Sequence, residues 1–382
     1  MTPGSTSTGG PPERRRWGPV LAPLWTAVLL ALAAAGTARA QAQDPGSPPS
    51  PRKVSVLPIA FYTQETSLAF GGMLVRAFRR PGDGADARPS SVIGVAFYTL
   101  RSQYNLALSP SLYLRDGRYL LRFSAAFNEW PSTFWGVGSG VSDDDEEDFT
   151  RRTVSFEAAF LRRLWGPLRA GPAVDLSFTT ISEVEPGGFL DREAFRGSRG
   201  GDVAGAGGVV EWDSRDQEFW PTSGAYHTVR VVRYAGRPLG EFPFTRITVD
   251  LRGFVSPWRG HVLAAQVTGA FTRGRPPFFR LAEMGGPVNM RGLYEGRLRD
   301  RNLLTAQVEY RVPLGARFAG VLFAGAGEVA PSLRGFGLGG ILVSGGAGLR
   351  FALDPENRMN LRLDVGVSRF GAAPIVTVNE AF

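Results

Sequence analysis

Arginine and glutamate are the residues of this chain that could do chemistry together. A loop rich in Gly and Arg opens at Gly285-Gly286, carries Met290-Arg291-Gly292-Leu293 and runs straight into a strand. In that strand Leu304, Ala306, Val308, Tyr310 and Val312 point one way, and Thr305, Gln307, Glu309 and Arg311 the other. A guanidinium gripping a carboxylate makes two directed hydrogen bonds. Shielded from water, an Arg291–Glu309 pair would contribute about 1.5–3 kcal/mol, and fully wet nearer ~0–1 kcal/mol. It would pin a long loop. The other reading is that Arg291 is one solvated arginine beside Arg297, Arg299 and Arg301.

Catalytic chemistry has little to work with. The chain has no Cys and only His227 and His261, so thiol chemistry and a multi-histidine metal site are not expected. No Ser/His/Asp arrangement or nucleophile elbow is present. The acidic run Asp143–Asp148 could hold a divalent cation, but a solvated loop is the plainer reading. No enzyme, cofactor or metal is expected.

A strand apolar on one face and charged on the other belongs to a half-exposed soluble sheet or to a membrane barrel. After residue 53 the helical period never appears. About sixteen segments of roughly ten residues alternate instead. In Met359–Ser368, Met359, Leu361, Leu363, Val365 and Val367 oppose Asn360, Arg362, Asp364, Gly366 and Ser368. Arg246–Val255 and Tyr119–Asn128 alternate likewise. Mean hydropathy is −0.08, and no window beyond the N-terminus holds eighteen apolar residues, which excludes a helical membrane protein but suits alternating strands. Tight connections (Arg115–Arg118, Trp165–Pro167, Pro257–Gly260, Gly315–Arg317, Pro355–Asn357) alternate with longer ones (Trp130–Arg151, Ser182–Gly201, Ala235–Pro243, Gly274–Asn302). Two exceptions are Pro81–Pro89, long for its rim, and Arg101–Gln103, short for its rim. The expected fold is all-β: a transmembrane antiparallel β-barrel of about 16 strands, of outer-membrane type, over residues 53–382.

Residues 1–40 read as a signal peptide. Arg14-Arg15-Arg16 precede an apolar run over Val20–Ala35, and Ala38-Arg39-Ala40 fits small-x-small cleavage. Removing Arg14, Arg15, Arg16, Arg39 and Glu13 with it lowers the formal charge from +8 to +5. Residues 41–52 form a Pro-rich linker. The remaining arginines are spread singly along alternating strands, so nucleic acid is not an expected partner. The expected location is the bacterial outer membrane, with its lipid as the surroundings. The chain ends on Phe382, a terminal aromatic resembling the recognition signal of bacterial outer-membrane proteins, although Glu380 stands where an apolar residue is usual.

Three segments resemble the BamA/TamA-type outer-membrane assembly barrels, also called bacterial surface antigen barrels. Gly285-Gly286 with Met290–Leu293 resembles the Gly-Gly…Val-Arg-Gly-Tyr/Phe motif of that family's sixth outer loop, and Ala306–Leu314 the strand after it. Asp213–Gly224, with Asp213, Arg215, Asp216, Phe219, Pro221 and Gly224, resembles the family's Asp-x-Arg-Asp…Phe-x-Pro-x-x-Gly periplasmic turn. A bland reading stands beside this: Pro221 and Gly224 punctuate a turn, and Phe219 and Trp220 suit an interfacial aromatic girdle. The resemblance implies that Arg291 folds back into the barrel and pairs with Glu309. A second family carboxylate, in a Phe-x-Asp-x-Gly pattern, is missing: Phe323-Ala324-Gly325-Ala326-Gly327 has Gly325 at that position, Leu293 replaces the usual aromatic, and alternation puts Glu328 on the opposite face. The loop is therefore expected to be held less firmly. Only the short linker precedes the first strand, so a barrel-only member is expected, with a partner protein supplying periplasmic domains.

The function so implied is to assist insertion, assembly or translocation of outer-membrane components, with client outer-membrane proteins as partners. Pro58 in the first strand and Pro374 near the last each lack a backbone donor, so the seam between them would close through few hydrogen bonds, unless both merely trim strand ends. The alternative is a passive pore or structural barrel.

Overall fold

The computed structural model describes residues 54–79, 88–218, 220–354, 359–378 and 380–382. The expected signal peptide and Pro-rich linker, Phe219, the Pro355–Asn357 turn and most of Pro81–Pro89 lie outside the described residues. The strands are β1 (Val54–Thr63), β2 (Ser67–Phe78), β3 (Ser90–Thr99), β4 (Tyr104–Leu114), β5 (Tyr119–Phe134), β6 (Glu147–Trp165), β7 (Leu168–Ser182), β8 (Gly200–Asp213), β9 (Gly224–Tyr234), β10 (Phe244–Val255), β11 (Val262–Gly274), β12 (Ala282–Met284), β13 (Leu298–Asp300), β14 (Asn302–Pro313), β15 (Phe318–Ala330), β16 (Leu342–Asp354), β17 (Met359–Ser368) and β18 (Gly371–Val378). Sixteen of them close an antiparallel barrel, each paired with its sequence neighbours; β12 and β13 form a separate two-stranded sheet in the loop between β11 and β14. Closure leaves no free edge, as a chain spanning lipid requires.

Alternation dictates which side each residue takes. Along β14, Leu304, Ala306 and Val308 are exposed on the outer wall, while Thr305, Gln307, Glu309 and Arg311 are buried inside. Along β17, Val365 and Val367 face out, and Arg362 and Asp364 are buried. The outward rows lie against lipid, and the polar rows build the interior.

The expected Trp130–Arg151 loop is shorter than its sequence suggested. Trp130 pairs with Arg151 in the β5–β6 ladder, which continues to Phe134 opposite Glu147. Its acidic run is largely solvated, as expected, with Asp143, Asp144, Glu146 and Asp148 exposed; Ser142 caps a turn at Asp143–Asp145, Asp143 pairs with Arg297, and only the Glu147 carboxylate is buried, where it accepts from the Leu190 amide at 3.0 Å. The apolar core sits inside the long-loop end of the barrel. There Phe134, Phe149, Leu190, Phe244, Phe278 and Phe279 cluster under folded loops.

Candidate functional site

The site is a buried ion cluster inside the barrel, with the loop tip at its centre. β12 and β13 turn the chain inward, and the Gly286 amide donates to the Leu293 carbonyl at 2.9 Å to close the tip. Gly285 adopts a φ of 120°, where a Cβ would lie 2.3 Å from the Tyr294 oxygen, so only glycine fits. Arg291 and Gly292 then meet β17 backbone to backbone. A Cβ on Gly292 would lie 2.7 Å from the Val367 nitrogen, and one on Gly366 would lie 2.5 Å from the Gly292 nitrogen. The Ser368 hydroxyl donates to the Gly292 carbonyl at 2.6 Å. Gly366→Ala is therefore expected to lift the loop from the wall at a cost of about 1–3 kcal/mol. Denaturant unfolding of the purified barrel checks it; an unchanged midpoint would mean that the close approach is not maintained.

Arg291 reaches two carboxylates. One terminal nitrogen lies 2.6 Å from Glu309 and 2.9 Å from Asp364, with every side chain fully buried. The contact to Asp364 is an aligned hydrogen bond, whereas the one to Glu309 is ionic and off the hydrogen-bond direction. The remaining guanidinium nitrogens lie over the Phe323 ring, whose centroid is 3.6 Å away, and make no hydrogen bond. A desolvated cation on a ring face is worth about 2 kcal/mol.

Other arginines share these carboxylates. Arg311 donates to Glu309 at 2.7 Å. Arg350 and Arg362 approach Asp364 at 2.6 and 2.7 Å, and Arg350 also pairs with Glu380 at 2.7 Å. Main-chain oxygens take up further donors: Pro221 and Phe382 accept from Arg311, and Pro287 from Arg362. Gly348 leaves room for the cluster, since a Cβ there would overlap the Asp364 carboxylate.

The missing second carboxylate is thus replaced rather than lost. Gly325 faces the interior beneath Met290, whose sulfur a Cβ would meet at 3.3 Å, and Asp364 from β17 supplies the charge. A second carboxylate therefore does reach Arg291, from β17 and not from the position of Gly325. Leu293 is buried with Met284, Met290 and Leu298 against β14–β16, so an aliphatic residue packs there in place of the family aromatic. Glu328 stays apart from the cluster and caps the Gly337 amide at 3.0 Å.

The Asp213–Gly224 turn feeds the same cluster from below. Arg215 pairs with Asp213 at 2.9 Å, and Gly224 takes a φ of 91°. Burial works against charge on Asp216, but the Thr222 hydroxyl and the Thr222 and Ser223 amides hold its carboxyl below the usual range. Trp220 does not join an outer girdle: its ring lies 5.4 Å from the Arg311 guanidinium carbon. The last residues turn inward too. β18 ends at Val378, and Ala381 and Phe382 pack on Phe254 and Ala264 of the inner wall. Glu380, awkward in a lipid-facing last strand, is a member of the ion cluster. Pro58 lies within β1, opposite Gly72 of β2, and Pro374 within β18, opposite Val365 of β17.

Above the cluster the loop borders a cavity of about 380 Å³, lined in part by Glu65, Glu283 and Glu295. Enclosure in the barrel, then Glu283 and Glu65, push the Glu295 carboxyl up from 4.5 to about 7. A carboxyl raised on folding favours the folded state at low pH, and that contribution is lost as pH climbs from about 4.5 to 7. The melting temperature of Glu295→Gln relative to the native chain is therefore expected to rise across that window; parallel profiles would contradict it.

The Omp85 superfamily domain matches residues 91–368. The chain belongs to the Omp85 superfamily. The same fold appears in BamA from Haemophilus ducreyi lacking POTRA domains 1–3, at 11% identity and a TM-score of 0.60, over 86% of this chain and 70% of that one. CdiB from Acinetobacter baumannii is similar at 13% identity and a TM-score of 0.54, over 84% of this chain and 58% of that one. CdiB from Escherichia coli is similar at 11% identity and a TM-score of 0.56, over 87% of this chain and 64% of that one. Among curated proteins, none matches the chain. As an Omp85 barrel it is an outer-membrane protein.

Proposed function

We propose that this barrel assists insertion, assembly or translocation of outer-membrane components through its seam. One observation carries the reading. Among the described residues the register between β1 and β18 holds a single Cα pair, Tyr62 with Val376, whereas β1 and β2 align along ten. The inward turn of Glu380–Phe382 supports it, because it takes the end of the chain away from β1. A seam with so few ladder bonds opens at low cost, and the exposed edge can template an incoming strand by β-augmentation. A passive pore fits the interior less well, since the loop tip, Trp220 and Phe382 fill it around the ion cluster. Clients would then be outer-membrane proteins, and a partner would bring periplasmic domains. Cleavage of a signal peptide at Met1–Ala40 would accompany export.

The test is insertion of an unfolded reporter barrel into liposomes. Those holding this protein are expected to fold the reporter at least about tenfold faster than empty ones. Equal rates, with steady single-channel conductance, would favour the passive barrel.

A further inference from the structure

The loop between β15 and β16, residues 331–341, plays no part in the ion cluster, and its surface is unusual for a polar rim. It folds as two short turns, Leu333–Gly335 and Leu338–Gly340, held by the Glu328 cap on Gly337. Leu338 is 90% exposed and Leu333 66%. The loop lies toward lipid rather than over the lumen, because Phe336 rests edge-on against Phe271 at 6.5 Å. Phe271 shares the outward row of β11 with Leu263 and Val267, both exposed on the lipid face. The apolar surface runs on into β16 through Ile341 and Val343, also exposed.

Cations border this patch. Arg334 lies between the two leucines, and Arg273 and Arg275 project from the end of β11; all three are exposed. None of the three guanidiniums has an ion pair or hydrogen-bond acceptor among the described residues. Most other arginines of this barrel are paired, so three free ones around one apolar patch mark a place where the partner supplies the charge. Beside the loop opens a cleft of about 720 Å³, bounded by Pro331 and Gly335, with Arg196, Arg275 and Arg301 on its wall. Its two carboxylate residues are Asp300 and Glu328, and Glu328 is engaged by Gly337.

We propose that this surface binds a phosphorylated, acylated glycolipid of the outer leaflet. Its acyl chains lie along Leu333, Leu338 and Val343, and its phosphates pair with Arg273, Arg275 and Arg334. Charge complementarity and continuity with the lipid-facing wall select a lipid over a soluble protein, which would have to displace lipid from Leu338. The inference does not depend on the proposed assembly role.

The absence of cysteine permits a clean test on the full chain. A Leu338→Cys variant carrying a polarity-sensitive fluorophore is reconstituted into phosphatidylcholine vesicles containing lipid A or, separately, phosphatidylglycerol. The label should be quenched by doxyl-labelled lipid and shielded from iodide. Native mass spectrometry should find lipid A retained, with retention at least about fivefold lower in the triple variant Arg273→Gln, Arg275→Gln, Arg334→Gln. That variant should keep the native melting temperature, since no described contact is lost. An iodide-accessible label, retention equal in the triple variant, or displacement of lipid A by equimolar phosphatidylglycerol would each overturn the proposal.

Discussion

Arg291→Ala is expected to release the loop tip from the barrel wall and to cost about 3–5 kcal/mol, the usual penalty for breaking a buried ion pair. The size follows from what is left behind. Glu309 and Asp364 stay fully buried, each with one cation fewer, and the face of Phe323 loses its partner. Arg291→Lys should recover only part of this, because an ammonium set between the two carboxylates leaves no planar cation to lie over the Phe323 ring. The barrel wall should survive, since its ladders do not involve Arg291. Limited proteolysis together with equilibrium unfolding checks both halves: new cleavage within residues 285–300 of an otherwise intact barrel is expected. A protected loop at native stability would show that the apolar packing of Met284, Met290 and Leu298 alone holds the tip.

Asp364→Ala is expected to be at least as damaging, again about 3–5 kcal/mol, because three guanidiniums, those of Arg291, Arg350 and Arg362, lose one shared carboxylate. The cluster then keeps four arginines against Glu309 and Glu380 in a dry interior. Coupling should show in the double variant. Arg291→Ala with Asp364→Ala should cost less than the two single changes added together, by about 0.5–3 kcal/mol, as residues in one network do. Strict additivity of the unfolding free energies would mean that Arg291 does not depend on Asp364. Gly325→Asp offers a contrast: it restores the family residue, but into space bordered by the Met290 sulfur, and the native chain already has its second carboxylate.

Much of this was legible in the residues. Period-two alternation specifies strands, and it separated inner from outer rows in β14 and β17 because lipid and lumen impose opposite demands on neighbouring positions. The loop motif supplied Arg291 and Glu309. Asp364 was visible as an inward residue but not as the partner of Arg291, from which it lies 73 residues along the chain. Alternation says that a residue faces inward; it does not say at what height in the barrel, and height follows from register. Glu380 was misleading for a related reason. A last strand carried through to Phe382 would put that carboxylate among apolar neighbours, whereas an inward turn after Val378 gives it Arg350. Trp220 looked like a girdle residue by type alone, and the turn directs it at Arg311. The shortened Trp130–Arg151 loop shows that polar residues on long strands beyond the lipid resemble loop sequence.

The proposed function turns on the seam, and a reversible lock across it is the most direct test. The chain contains no cysteine, so Tyr62→Cys with Val376→Cys places a single disulfide across the one aligned position of β1 and β18. Oxidised protein in liposomes is expected to lose its acceleration of reporter-barrel folding, and reduction in the same vesicles to restore it. Full acceleration by the oxidised, cross-linked protein would contradict a function that works by opening this seam.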